Sequence, residues 1–154
     1  MKNAMILLGC PESPTQTAIA IYATHKLSQM DYDITVVANP AAMKLIDISD
    51  PEKYYVKKRK NIDRCIDTLN PGDYDLLLGI IHKDAAVAYF VTAYHLLQTK
   101  SIALVFERNI ELVEEFTSQI KESTDAIIKS AKAYHNPNPV KVQLNKALKE
   151  LEDE

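Results

Sequence analysis

Glycine is nearly absent from the sequence, which has only Gly9, Gly72 and Gly79 in 154 residues. Neither G-x-G-x-x-G nor a phosphate-cradling glycine-rich loop can be written from them, because both need several glycines around one turn. The turn after the first apolar run is proline-rich instead, Gly9-Cys10-Pro11-Glu12-Ser13-Pro14. Each proline there removes an N–H that would face a phosphate. An ordinary dinucleotide site and a P-loop are therefore set aside.

Cysteine is equally sparse. Cys10 and Cys65 lie far apart with no Cys-x-x-Cys between them, the pattern of two reduced thiols in a cytoplasmic protein. The four histidines, His25, His82, His95 and His135, show no zinc-ligand spacing, so no structural metal is expected. Long apolar runs are missing too: nothing approaches the ~20 residues that cross a bilayer. Met1-Lys2-Asn3 leads into an apolar stretch too short for a signal peptide, and no small-residue cleavage site follows. A net charge of −3 gives no general attraction to nucleic acid or anionic lipid. The expectation is a cytoplasmic protein with neither nucleic acid nor membrane as partner.

What remains is ordinary globular composition, 47% apolar and 25% charged, on a chain that fits a single domain over 1–154. Folding at this size buries roughly 70% of the unfolded chain's surface, enough for a core without metal or disulfide. Four uncharged runs rich in Ile, Val and Leu stand out: Ala4–Leu8, Ile34–Ala38, Leu76–Ile81 and Ile102–Phe106. Strands apolar on both faces belong in a parallel sheet covered by helices on both sides. About four strands are expected.

Helical periodicity fills the gaps. Ile19, Tyr22, Ala23, Leu27 and Met30 make a stripe in Thr15–Met30, and Ile62, Cys65, Ile66 and Leu69 another in Asn61–Leu69. A third runs through Ile110–Ala131 on Val113, Phe116, Ile120, Ile127 and Ala131, with a possible break at Ser123-Thr124-Asp125. Four prolines follow a good N-cap residue, in Ser13-Pro14, Asn39-Pro40, Asp50-Pro51 and Asn138-Pro139, where proline suits the first helical position. Ser13 and Gln16 have capping-box spacing, and Asp84 is expected to cap the next helix. Capped helices following strands indicate βαβ units. Beyond His135-Asn136-Pro137-Asn138-Pro139, the 135–154 segment is a C-terminal helical extension with Val140, Leu144, Ala147, Leu148 and Leu151 on its apolar face.

Open parallel sheets bind ligands beyond the carboxyl ends of the strands, where the strand order reverses. For the commonest small arrangement the flanking turns are those after the first and third apolar runs, Gly9–Pro14 and His82-Lys83-Asp84. The candidate ligand-binding residues are Cys10, Glu12, Asn39, His82, Lys83 and Asp84. Cys10 ahead of a helix amino end gains thiolate character from the dipole, which Glu12 opposes, so it is either a nucleophile or sulfur carrier or a small apolar plug at a strand end. Glu12 is an acid–base candidate or a solvated turn residue. His82, with Lys83 and Asp84 beside it, either faces a ligand or packs against the turn. Ser13 is explained by capping alone. Lys57-Lys58-Arg59-Lys60 reads as a solvated helix flank, and His25 and His95 as core-edge or surface histidines within helices. Helix 85–97 opens with Ala85-Ala86-Val87-Ala88-Tyr89-Phe90-Val91, apolar all round for two turns. That implies cover on every side, from a homodimer partner or from the C-terminal helix.

With Gly9-Cys10-Pro11-Glu12-Ser13-Pro14, Ala38-Asn39-Pro40-Ala41-Ala42, Asp50-Pro51-Glu52, Asp84-Ala85-Ala86 and His135-Asn136-Pro137 in this order, the chain resembles a small domain-of-unknown-function family of methane-producing archaea. The likeness spans almost the full length. It implies a three-layer α/β/α Rossmann-like domain and carries over no catalytic residue and no cofactor. A looser likeness, through Asn39-Pro40-Ala41-Ala42-Met43-Lys44-Leu45, is to small sulfur-relay proteins. Those keep their working cysteine in a later turn, and the turns after the third and fourth runs here have none. The expectation is a small-molecule or cofactor-binding protein. A Cys10-dependent sulfur carrier or thiol enzyme comes second, and a non-catalytic interaction subunit of an archaeal enzyme system third.

Overall fold

In the computed structural model, which describes all of residues 1–154, β1 (Lys2–Leu8) enters the centre of a parallel sheet. Helix α1 (Pro14–Gln29) returns the chain to β2 (Tyr32–Ala38), and α2 (Pro40–Ser49) leads to β3 (Lys58–Asn61). A short α3 (Ile62–Cys65) and a 3-10 turn (Ile66–Thr68) precede β4 (Leu76–Ile81). Helix α4 (Asp84–Leu97), β5 (Lys100–Glu107), α5 (Ile110–Ser123), β6 (Ile127–Lys132) and α6 (Asn138–Glu152) complete the chain. The strand order is β3-β2-β1-β4-β5-β6, all parallel. It reverses between β1 and β4.

Six strands replace the expected four. The central four, β2, β1, β4 and β5, are the apolar runs, and they need apolar residues on both faces because helices cover both. The two edges obey no such demand. Strand β3 is Lys58-Arg59-Lys60-Asn61, mostly solvent-facing, so the basic run taken for a helix flank is an edge strand, with Lys58 paired to Asp33 of β2. Charged, short edges resist pairing with other chains. Strand β6 is half-exposed, and it follows a break at Thr124-Asp125-Ala126 that ends α5. The helical stripe read through to Ala131 therefore ends at the break read at Ser123-Thr124-Asp125, and Ile127 and Ala131 belong to β6. The helix predicted over Asn61–Leu69 shrinks to a single turn plus the 3-10 turn, although Ile62, Cys65 and Leu69 are buried as expected.

Two caps form as the prolines imply. Asn39 accepts from the Ala42 N–H at 2.9 Å, and Ser13 accepts from the Thr15 N–H at 3.3 Å. Four expectations fail. Gln16 does not close a capping box; its amide donates to the Gly9 carbonyl at 2.9 Å. Asp84 is the first helical residue of α4, not its cap, and Lys83 in the cap position makes no side-chain bond. Asp50 closes α2 instead of opening a helix, and Asn138 lies inside α6, one place beyond its cap.

The core divides by sheet face. On one, α1, α2 and α6 bury Ile19, Leu27, Ile46, Leu144 and Leu148 against Ile6, Val36, Ile80 and Phe106. On the other, α4 and α5 bury Phe90, Leu97 and Phe116 against Met5, Leu77 and Val105. Each large side chain so buried contributes roughly 1.5–3 kcal/mol. The scarce glycines set how close α4 lies: a Cβ on Gly79 would sit 2.3 Å from the Phe90 ring, and one on Gly9 would sit 2.9 Å from the Ala86 Cβ. Because α6 is on the opposite face, it does not cover α4. Ala85, Ala88, Thr92, His95 and Leu96 stay exposed on α4's outer side, so the helix is not enclosed all round.

Candidate functional site

The β1–β4 ladder ends at the pair Leu8–Ile80, so the turns leaving both strands emerge side by side at the switch point. The turn after β1 is tight, with the Glu12 N–H donating to the Cys10 carbonyl at 3.0 Å. Cys10 is exposed, so it is not the buried plug that was one reading of it. The amide Nδ2 of Asn39, at the end of β2, lies 3.5 Å from Cys10 Sγ. One Asn39 side chain thus caps α2 through its oxygen and meets the thiol through its nitrogen.

Across the turn, Lys83 Nζ lies 3.0 Å from Glu12 Oε2 and 3.5 Å from Glu107 Oε2. The hydrogen bond to Glu12 leads in raising the Lys83 ammonium above its ordinary value, against burial, with Glu107 adding to it. Burial pushes Glu107 up, but the Asn109 N–H, at 3.0 Å, with Lys83 and the Arg108 N–H, hold it below the usual carboxylate value. The group is a cation already shared by two carboxylates.

His82 lies beneath it, 1% exposed, with its ring stacked on Phe106 at 5.2 Å and 15°. Neither ring nitrogen has a hydrogen-bond partner. Burial first, and then Lys83, lower its pKa to about 4, while Glu12 and Glu107 oppose. The imidazole is neutral at pH 7. Gln16 Oε1, on a fully buried side chain of α1, is also unpartnered.

The structure therefore gathers Glu12 and Lys83 around buried His82, and Asn39 against Cys10. The Asp84 side chain makes no hydrogen bond or ion pair with them. Sequence reasoning overlooked Glu107, although a carboxylate directly after an apolar strand obeys the rule that singled out His82. It also overlooked Tyr134, because the turn after β6 cannot be placed while β6 is read as helix. The Tyr134 carbonyl accepts from Ser13 Oγ at 2.7 Å and Thr15 Oγ1 at 2.6 Å, and its hydroxyl donates to the Glu12 carbonyl at 3.0 Å. The Arg108 guanidinium lies 4.0 Å over the Tyr134 ring. Tyr89 of α4 donates to Asp63 at 2.9 Å. No three His, Cys, Asp or Glu side chains converge as metal ligands would.

The larger hollows are at the opposite end of the sheet, about 630 and 660 Å3, and neither touches these residues. Volume and chemistry thus disagree about the site. The switch point carries more weight, because it alone combines an exposed thiol, a shared cation and a buried side chain lacking partners.

Among solved structures, the chain is similar to MT0777, with 41% identity and a TM-score of 0.94 over 97% of this chain and 99% of that one. Cypemycin decarboxylase CypD (14% identity, TM-score 0.57, 97% and 95% covered) and phenylacrylic acid decarboxylase from Aquifex aeolicus (15%, 0.56, 99% and 96%) share the fold alone. Uncharacterized protein MJ0452 of Methanocaldococcus jannaschii is 30% identical over 156 residues, spanning 98% of this chain and 100% of its own. The family model described as Domain of unknown function (DUF1890) matches residues 5–147, and the chain belongs to that family.

Proposed function

We propose that this protein binds a small molecule or cofactor at the turns after β1 and β4, with Cys10, Glu12, Asn39, Lys83 and Asp84 facing the ligand and His82 buried beneath them. The observation that carries the reading is His82. A neutral imidazole holds one N–H donor and one lone pair, and leaving a buried polar group unpaired costs about 1–3 kcal/mol. A ligand that pairs with the ring removes that cost. Lys83 is already shared by Glu12 and Glu107, and Pro11 and Pro14 offer no N–H. The turns therefore favour a neutral polar group over a phosphate. A thermal-shift screen across nucleosides, flavins, pterins and aromatic acids, run on wild type and His82→Phe, tests it. The expected outcome is a compound that raises the melting temperature of wild type only. The reading fails if every stabilising compound acts equally on both.

A second reading, thiol or sulfur chemistry at Cys10, is favoured by the exposed Sγ and its Asn39 contact. Lys83, the cation of the neighbouring turn, is engaged by Glu12 and Glu107. Cys10 is expected to react with iodoacetamide at pH 7 no faster than a free thiol, and Cys10→Ser to keep the fold. Faster alkylation, measured with Cys65 replaced, would put this reading first. A homodimer through α4 is supported by its outer side, where Ala85, Ala88 and Leu96 are exposed beside Thr92 and His95; a non-catalytic interaction subunit of an archaeal enzyme system is the third reading. No helix is long and apolar enough to cross a membrane.

A further inference from the structure

The hollow of about 630 Å3 at the amino ends of the strands is lined by Tyr32, Tyr54, Tyr55 and His25 among twelve residues. Three tyrosines beside His25 around one hollow are a large share for a protein whose Phe, Trp and Tyr content is 7%. Tyr55 meets His25 edge-on at 5.8 Å and Tyr54 edge-on at 4.8 Å. Tyr54 is 73% exposed and Tyr55 40% exposed, so burial in the core does not account for their position.

The segment that carries them is built. Asp50, 5% exposed, accepts three backbone N–H groups: Tyr54 on Oδ1 at 2.9 Å, with Tyr55 at 3.0 Å and Val56 at 2.8 Å on Oδ2. Lys53 takes the left-handed conformation at φ 56°, which costs a residue with a side chain energy that the surroundings must offset. Val56 anchors the far end at 1% exposure. Two exposed rings are therefore held in place by a buried carboxylate.

Charge selects among aromatic ligands. Lys53, Lys57, Asp33 and Glu52 line the hollow. Asp33 is already paired with Lys58, which leaves two lysines against Glu52. A planar cation would meet net repulsion and a planar anion net attraction.

We propose that this hollow is a second binding site, independent of the switch point, for a planar aromatic anion whose ring stacks against Tyr55 and whose charge meets Lys53 and Lys57. Nucleotides and aromatic carboxylates share that chemistry. Titrations with AMP and with 2-naphthoate, followed through the His25 and tyrosine ring signals in aromatic 1H–13C spectra, test the site and distinguish the two sources by which probe is tighter. At least one probe is expected to saturate these signals. Tyr55→Ala is expected to weaken it about tenfold, as loss of a stacking ring does, while Tyr55→Phe retains it. The pair Lys53→Gln with Lys57→Gln should weaken it several-fold and remove its salt dependence. If Tyr55→Ala melts early, Tyr54→Ala supplies the comparison from a ring outside the core. The proposal is overturned if neither probe moves the His25 and Tyr55 signals by about 5 mM, a dissociation constant too weak for a specific site. It is overturned equally if folded tyrosine-to-alanine variants bind as wild type does, or if adenosine binds as tightly as AMP.

Discussion

A buried imidazole without partners has a measurable consequence in acid. The His82 pKa of about 4 is below the ordinary value of about 6.5, so between these values the unfolded chain binds a proton that the folded chain refuses. Stability is therefore full above pH 6.5 and falls as pH drops toward 4, by about 3 kcal/mol in all. Glu12, Lys83 and Glu107 face the ring; Glu107, held below its usual value, loses its own contribution only at lower pH. His82→Phe keeps the stack on Phe106 and removes both orphan nitrogens. Denaturant melts from pH 7 to 4 should show it at least as stable as wild type at pH 7 and flatter below. Ser13 has a second role that its capping pattern does not reveal. Since Oγ also donates to the Tyr134 carbonyl, Ser13→Ala should cost about 1–2 kcal/mol in the same measurement. Ser13→Asp, which a cap alone would tolerate, should cost more, because a carboxylate cannot donate to that carbonyl.

Among the elements, the segment between α2 and β3 depends on one side chain. Burial would raise the Asp50 carboxyl, but the N–H groups of Val56, Tyr55 and Tyr54 outweigh it and hold it below its ordinary value. Its contribution is present above the unfolded value near 3.8 and is lost as pH falls through the folded one. Asp50→Ala should free three backbone donors and cost about 2–3 kcal/mol, with faster amide exchange at Tyr54–Val56. At Gly79→Ala the added Cβ meets the Phe90 ring, and overpacking of this kind costs about 1–3 kcal/mol. Chemical denaturation should report it, with α4 amides exchanging faster than those of α6. Edge and centre differ in legibility for the same reason that they differ in composition. The central strands were readable because two helical layers enforce apolar residues on both faces. Strands β3 and β6 pair on one side only, and Lys58, Lys60, Ser130 and Lys132 reach solvent from them.

For the whole molecule, the proposed homodimer makes the outer side of α4 decisive. Val87 is buried within the chain, 6% exposed, so a charge there would disturb the core whatever the assembly. Ala88 is exposed, and Ala88→Glu leaves the core alone. Sedimentation velocity at micromolar concentration should give the mass of two chains for wild type and of one chain for Ala88→Glu, with unchanged monomer melting. A wild-type monomer would refute the dimer.

The sequence by itself determined the α/β class, the four central strands, the helices after β1, β2 and β4, and the buried face of α6 down to Val140, Leu144, Ala147, Leu148 and Leu151. These follow from periodicity and from burial on both faces, which act over a few residues. It also marked the turns after the first and third apolar runs, since they follow directly from where the runs stop; that the two meet at the switch point was decided by the strand order. Only the tertiary structure decided who partners whom. Ser13 finds Tyr134 across 121 positions, Lys83 finds Glu107, Asn39 finds Cys10, and His82 finds nothing. The hollow at the amino ends was equally out of reach, because it forms where the α2–β3 segment folds over α1 and β2. Pairings of that kind depend on strand order and register, which are set by closing the sheet and not by any local pattern.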